Sequence, residues 1–340
     1  MTRLDEKLSR IRAGQYRRAD FIIADAKDGD MGSGITTGGP LYDADGQRIG
    51  WKSRRDYLDQ IKAVLAQDVV DIMLTSASNL EILQQEGAYA GSRVKPAIRA
   101  NDATDCWGGV RGGGYAAELS RPFRTASLAH VMHGAAGAKP GAAMTGTDLG
   151  LYSMTFNNDL DADLRSLEAF AAFRAEAGPL GFSYFLEVFN PNAPRGLARG
   201  DVPAFLNDCL LRCLSGLTQA ERPRFLKIPF NGRAAVEELA AYDSSVVIGV
   251  LGGGAGTTRD TFELLFQAER AGARLALFGR KINLAEQPLT LIRFMRHVAD
   301  GEIEPAEAVR AYHAELASEG IRPRRTLADD LEITEAVLRG

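Results

Sequence analysis

The residues able to do chemistry fall into a few groups. Lys227 sits in an apolar run, with Phe225 and Leu226 before it and Ile228, Pro229 and Phe230 after it. Burial disfavours an ammonium, and a neutral amine adds to a carbonyl to form an imine. A lysine near a strand end that snorkels to solvent is the plainer alternative for this residue taken alone. Three carboxylates, Asp25, Asp28 and Asp30, crowd around Lys27, and like-charge repulsion in such a cluster needs a cation or polar ligand to offset it. A Ca²⁺ or Mg²⁺ loop is a competing reading of the three aspartates, but the EF-hand spacing and its terminal Glu are missing.

Two glycine-rich turns complete the set. Gly252, Gly253, Gly254, Ala255 and Gly256 lead into a helical pattern, where backbone N–H groups and the positive helix end suit a phosphate. Gly279 and Arg280 follow the next apolar run, and the guanidinium fork fits a pair of phosphate oxygens. Tight βα connections alone would explain either turn, and no ribose-binding acid supports a dinucleotide fingerprint. His130 and His133 have helical metal-pair spacing without a third ligand motif nearby, so no metal is expected.

These groups need a scaffold, and eight short apolar runs offer one: 20–25, 69–74, 95–100, 149–155, 181–188, 224–228, 245–251 and 273–278. Amphipathic stretches at 57–65, 160–177, 202–214 and 259–271 separate several of them, the pattern of βα units around a parallel sheet. Eight such units predict an α/β fold, a single (β/α)8 TIM barrel, with a doubly wound sheet as runner-up. The expected layout is one domain over 1–340: an N-terminal helix in 1–19, the barrel in 20–300 and C-terminal helices in 301–340. Long loops at 27–54 and 101–147 follow strands one and three. The second holds Gly108, Gly109, Gly112, Gly113 and Gly114, and barrel loops on that side bind substrates.

Composition narrows the class. The 340 residues are 45% hydrophobic and 25% charged, ordinary for a globular chain. A net charge of −4 gives no general attraction to nucleic acid or a membrane surface. Cys106, Cys209 and Cys213 form no CxxC or CxxH pair, which suggests reduced thiols, the last two half-buried on one helix. The charged N-terminus lacks the apolar core of a secretory signal and no apolar run spans a bilayer, so a cytoplasmic location is expected.

In order along the chain, Lys227, the Gly252 to Gly256 turn and the Gly279, Arg280 pair resemble the class I aldolases. That group includes tagatose-bisphosphate aldolase, the archaeal-type fructose-bisphosphate aldolases and sulfofructose-phosphate aldolase. The resemblance implies a Schiff base at Lys227, a phosphate held by Gly253, Gly254, Gly279 and Arg280, and proton transfer by Glu187. It also implies that Asp25 contacts the lysine and substrate hydroxyls, and that Lys27 stands where relatives carry a basic residue. The implied reaction cleaves or forms a C–C bond of a phosphorylated ketose, giving dihydroxyacetone phosphate and an aldehyde, with no cofactor. A homo-oligomer is expected by the same analogy.

Two features depart from that pattern. Ser153 falls where some relatives carry a lysine, with Tyr152 turned to the opposite face. Arg99, with Arg111, Arg121 and Arg124 in the long loop, could bind a second anionic group. A salt bridge between Glu187 and Lys227, a barrel lyase or isomerase that forms no imine, and a non-catalytic sugar-phosphate-binding barrel stay open as alternatives.

Overall fold

The computed structural model describes residues 2–43, 45–105, 110–136, 142–254 and 256–339. Cys106, Gly108, Gly109 and Ala255 therefore lie outside the described residues. Eight parallel strands close into one barrel in chain order: β1 (Ile22–Lys27), β2 (Ile72–Thr75), β3 (Lys95–Arg99), β4 (Leu149–Thr155), β5 (Ser183–Phe189), β6 (Leu226–Ile228), β7 (Ile248–Leu251) and β8 (Leu275–Phe278). The closure of β8 onto β1 excludes the doubly wound alternative.

Each expected strand is present. Several begin two or three residues later than their apolar run, because Phe21, Val70, Phe225 and Val247 are buried in the approach to a strand rather than in its ladder.

Strand residues alternate between two faces. Ile22, Ala24, Ile72, Leu74, Ala97, Leu149, Leu151, Phe185, Phe225, Val247, Leu275 and Leu277 fill the barrel interior. Their neighbours Ile23, Met73, Ile98, Tyr152, Leu186, Leu226, Ile248 and Phe278 point outward and pack under the surrounding helices. Both faces are therefore apolar, which is why the strands read as continuous hydrophobic runs. Phe185 stacks on Phe225 at 4.6 Å in the interior.

The N-terminal helix, Arg3–Arg12, seals the lower end of the barrel. Leu4 and Leu8 join the interior cluster, while Arg3 and Lys7 pair with the buried Asp71 at 2.8 and 2.9 Å. With the bottom plugged, the upper, C-terminal end of the strands is the side left open.

Two loop systems cover that end. After β1, a short helical stretch, Gly34–Gly38, leads to a hairpin of Pro40–Tyr42 and Arg48–Trp51. After β3, Asp102–Ala103 pairs with Pro122–Phe123, and the helix Leu128–His133 follows. Cys209 and Cys213 are free thiols on Val202–Ser215, and burial pushes both up to about 11.

Gly249 marks a point where the barrel has no spare room. It stands between Lys227 of β6 and Leu275 of β8, and a Cβ there would meet the Leu226 carbonyl oxygen at 2.6 Å as well as the Leu275 side chain. Gly249→Ala is expected to lower the free energy of unfolding by about 1–3 kcal/mol, the usual cost of overpacking. Urea denaturation measures this, and an unchanged midpoint would contradict the packing described.

Candidate active site

The upper layer of the interior follows from alternation. Two residues beyond Phe185 comes Glu187, two beyond Phe225 comes Lys227, two beyond Ala97 comes Arg99, and two beyond Leu151 comes Ser153. Two beyond Ala26, just past the end of β1, comes Asp28. An apolar floor thus carries a charged layer, and all five side chains are buried.

They form one connected network. Lys227 Nζ meets Glu187 Oε1 at 2.6 Å. The other Glu187 oxygen accepts from Ser153 Oγ at 2.6 Å and from Arg99 at 3.5 Å. Arg99 also donates to Ser153 Oγ at 3.0 Å and, through Nε, to Asp28 at 2.6 Å. Burial would raise Asp28, but Arg99 and Lys227 outweigh it and hold this carboxyl below its ordinary value. Asn101 fixes the backbone of Ser153 from both sides, accepting from its N–H at 2.6 Å and donating to its carbonyl at 2.8 Å.

Above the network opens a cavity of about 520 Å³. Asp28, Arg99, Glu187 and Lys227 form its base, Gly252, Gly253, Gly279 and Arg280 one wall, and Asp105 part of the opposite side. Arg280 donates to the Gly253 carbonyl at 3.2 Å, tying the two glycine turns together. Tyr57, Thr36, Thr37 and Asn283 also line it, and Asn283 donates to the Thr37 carbonyl at 2.7 Å.

The structure corrects several expectations from the sequence. Asp25 does not approach Lys227. Its strand neighbours in register, Met73 and Phe278, belong to the outer core, so its side chain lies on the outer face of β1. There Lys27 approaches it at 3.5 Å, and burial pushes it up to about 6 despite that amine. Lys27 shares this outer face, reaches Asn283 at 3.4 Å, and lies outside the cavity lining. The carboxylate β1 supplies to the interior is Asp28. Asp30 turns instead to Ser76 and Asn79, at 2.6 and 3.0 Å, so the three aspartates do not converge on a cation.

Arg99 was expected to be available for a second anion, and it is committed to Asp28 and Glu187. Arg124 pairs with Glu176 on the helix Leu160–Leu180, and neither it, Arg111 nor Arg121 lines the cavity. Ser153 lies inside and Tyr152 outside, packed on Phe170 and Phe173. Ser153 nevertheless sits beside Glu187 in register and does not line the cavity. The apolar sequence neighbours of Lys227 do not enclose its amine: Leu226 and Ile228 point outward and Phe225 lies a layer below. The salt bridge considered for Glu187 and Lys227 is present.

Asp105, Tyr57 and Asn283 had no sequence signal. Periodicity at 57–65 gives the helix that carries Tyr57 but not the residue's place at the cavity, and Asp105 and Asn283 reach it from a loop and a short helix without periodicity of their own.

No family model and no curated protein matches this chain. Solved structures do resemble it. An archaeal fructose 1,6-bisphosphate aldolase shares 15% identity over 88% of this chain and 99% of its own, with a TM-score of 0.59. A second archaeal fructose-1,6-bisphosphate aldolase, with the catalytic Lys covalently bound to the carbinolamine intermediate of the substrate, shares 16% identity over 88% and 100%, at 0.58. Cgl0159 from Corynebacterium glutamicum shares 17% over 88% and 98%, at 0.56. At these identities the likeness shows the TIM-barrel fold.

Arg99 is the cation on which both interior carboxylates converge. Arg99→Met leaves Asp28 without its nearest partner in a buried layer, and is expected to cost about 3 kcal/mol of stability. Chemical denaturation of the variant tests this; a cost near zero would mean that the network contributes little to the fold.

Proposed function

We propose that this barrel is a class I aldolase acting on a phosphorylated ketose, with Lys227 as the amine that forms the imine. The observation that carries the reading is the Lys227 and Glu187 contact at 2.6 Å at the base of a cavity walled by two glycine turns and Arg280. A primary amine, a carboxylate able to take and return its proton, and an anion cradle stand within one cavity. The resemblance of the fold to archaeal fructose-bisphosphate aldolases supports the same reading.

In the proposed cycle Glu187 accepts a proton from Lys227, and the neutral amine adds to the ketone carbon. Protonation of the carbinolamine hydroxyl expels water and leaves an iminium ion. Glu187, now the carboxylate, removes the C4 hydroxyl proton. The C3–C4 bond breaks, its electron pair flows to the iminium nitrogen, and the aldehyde departs. The enamine is protonated at C3, and water releases dihydroxyacetone phosphate and the free lysine.

Asp28 is a poor base here, since Arg99 and Lys227 hold it below its ordinary value, and its charge instead stabilises the cationic iminium. Ser153 and Arg99 position Glu187. The glycine turns and Arg280 hold the phosphate, so that binding energy remote from the reacting carbons orients them.

The charge layout favours one phosphate. Arg280 follows β8, whereas Asp105, bound to Thr155 at the end of β4, stands across the ring. A ketose with its C1 phosphate at β7 and β8 extends its far end toward a carboxylate. That end is best left as a hydroxyl.

Borohydride reduction in the presence of ketose phosphates, with mass mapping, is expected to label Lys227. Lys227→Arg abolishes labelling and turnover, and Glu187→Gln lowers turnover by about 10²–10⁴-fold. Asp25→Asn, on the far side of β1, retains labelling in the folded fraction. Absence of an adduct, or a Lys227→Arg enzyme with most of its activity, would leave a barrel that works without an imine.

Asp105→Asn tests the charge layout separately. Use of fructose 1,6-bisphosphate relative to fructose 1-phosphate should rise about fivefold, the worth of one like-charge contact of ~1 kcal/mol near water. An unchanged ratio would remove Asp105 from the account.

A further inference from the structure

The C-terminal segment reaches the proposed phosphate cradle. Residues 326–339 cross the start of the helix Thr258–Arg270 and are tied to it at several points. Thr258 N–H donates to Asp330 at 2.7 Å, and Thr257 Oγ1 donates to the Glu332 carbonyl at 2.7 Å. Asp260 accepts from the N–H groups of Thr334 and Glu335 at 2.8 and 3.2 Å. Gln267 donates to the Leu338 carbonyl at 2.9 Å, and the Leu338 side chain is buried. This clamp fixes the backbone of Glu335 beside the turn that follows β7.

Its side chain points at that turn. The two carboxylate oxygens lie 3.1 and 3.3 Å from where a Cβ on Gly253 would stand, an approach open only because the residue is glycine at φ +62°. Burial and the neighbouring Asp260 raise this carboxyl above its ordinary value, and the Gly254 amide and Arg280 draw it down in part. These are two of the groups that the ends of β7 and β8 offer to an anion. Gly254 is absent from the cavity lining, whereas Gly253 and Arg280 are part of it. The N–H groups at the start of the helix are likewise taken, by Asp260 and Asp330. A carboxylate of the chain's own thus holds a place that suits a phosphate oxygen.

We propose that Glu335 is an internal competitor for the anion cradle: a phosphate gains the Gly254 amide and an unshared Arg280 only by turning the Glu335 side chain away. The backbone clamp need not open, because rotation about the glutamate's own bonds clears the turn. Glu335 therefore sets how tightly the site holds a phosphate ester, and it selects against weaker anions that cannot displace it. This rests on the phosphate half of the function proposed above and not on the imine.

The probe is inorganic phosphate, titrated calorimetrically into the full-length protein and its Glu335→Gln and Glu335→Ala variants. Both should bind phosphate about tenfold more tightly than the parent, the worth of roughly one hydrogen bond to a charged group. Glu335→Gln keeps the shape of the side chain, so it guards against a loss of folding in Glu335→Ala. Equal or weaker binding in a folded Glu335→Gln variant overturns the proposal, as does an absence of phosphate binding in all three proteins. Borohydride labelling of Lys227 is read in parallel. Labelling without a change in phosphate affinity removes the competitor and keeps the aldolase. Tighter phosphate without labelling does the reverse.

Discussion

Asp28, Arg99, Glu187 and Lys227 bring two negative and two positive charges into the top layer of an otherwise apolar barrel. Burying any one of them alone would cost several kcal/mol, and only alternation of sign with close hydrogen bonds makes the layer tolerable. Each member comes from a different strand or strand end, so the network exists only when β1, β3, β5 and β6 are all in register. Barrel closure and site assembly are therefore one event. Lys227 cannot meet Glu187 unless Phe225 has stacked on Phe185 in the layer below.

The period of two along a strand decides which residues take part. The pairing of Glu187 with Lys227, which the sequence left as one alternative, obeys it: both follow an aromatic residue by two positions. The period also placed Ser153 inward and Tyr152 outward from sequence. In β1 the same period turns Ala24 and Ala26 inward and Asp25 and Lys27 outward. Both faces of that strand are buried, so burial gave no sign of which was which. A carboxylate two positions past Ala26 was the available clue, and it points to Asp28. The eight strands were legible because a parallel barrel writes each strand as an apolar run bounded by turns; their order around the ring was not, which is why a doubly wound sheet stayed open until β8 was seen to pair with β1. The loop contacts were not: Asp105 and Glu335 reach the cavity region through segments with no periodicity, positioned by tertiary hydrogen bonds that no local pattern encodes.

The cavity is polarised as well as charged. Among the described residues lining it, Asp28, Asp105 and Glu187 balance Arg99, Lys227 and Arg280 in number, but not in place. Arg99 and Lys227 are neutralised at the base by Asp28 and Glu187. Arg280 is then the cation left to face a ligand on one side, and Asp105 the anion left on the other. An elongated molecule with one anionic end meets a favourable field in one orientation only. On the function proposed, the field orients such a molecule before any contact with Lys227 is made.

The cation left for a ligand is itself shared with the chain. In a cradle of the kind proposed, amides and a guanidinium that face a ligand need partners from the chain when no anion supplies them. Thr257, Asp260 and Asp330 satisfy the helix start, and the Glu335 carboxylate lies against the turn. Each such contact stabilises the resting barrel and opposes the ligand by the same amount, because a group already bonded has that much less to gain. The helix start gave up its N–H groups to side chains held by the backbone clamp, which a ligand cannot displace. In the competition proposed, the turn faces a glutamate with rotatable bonds, which a ligand can displace. In the cradle proposed, that difference leaves Gly253, Gly254 and Arg280 as the part open to exchange.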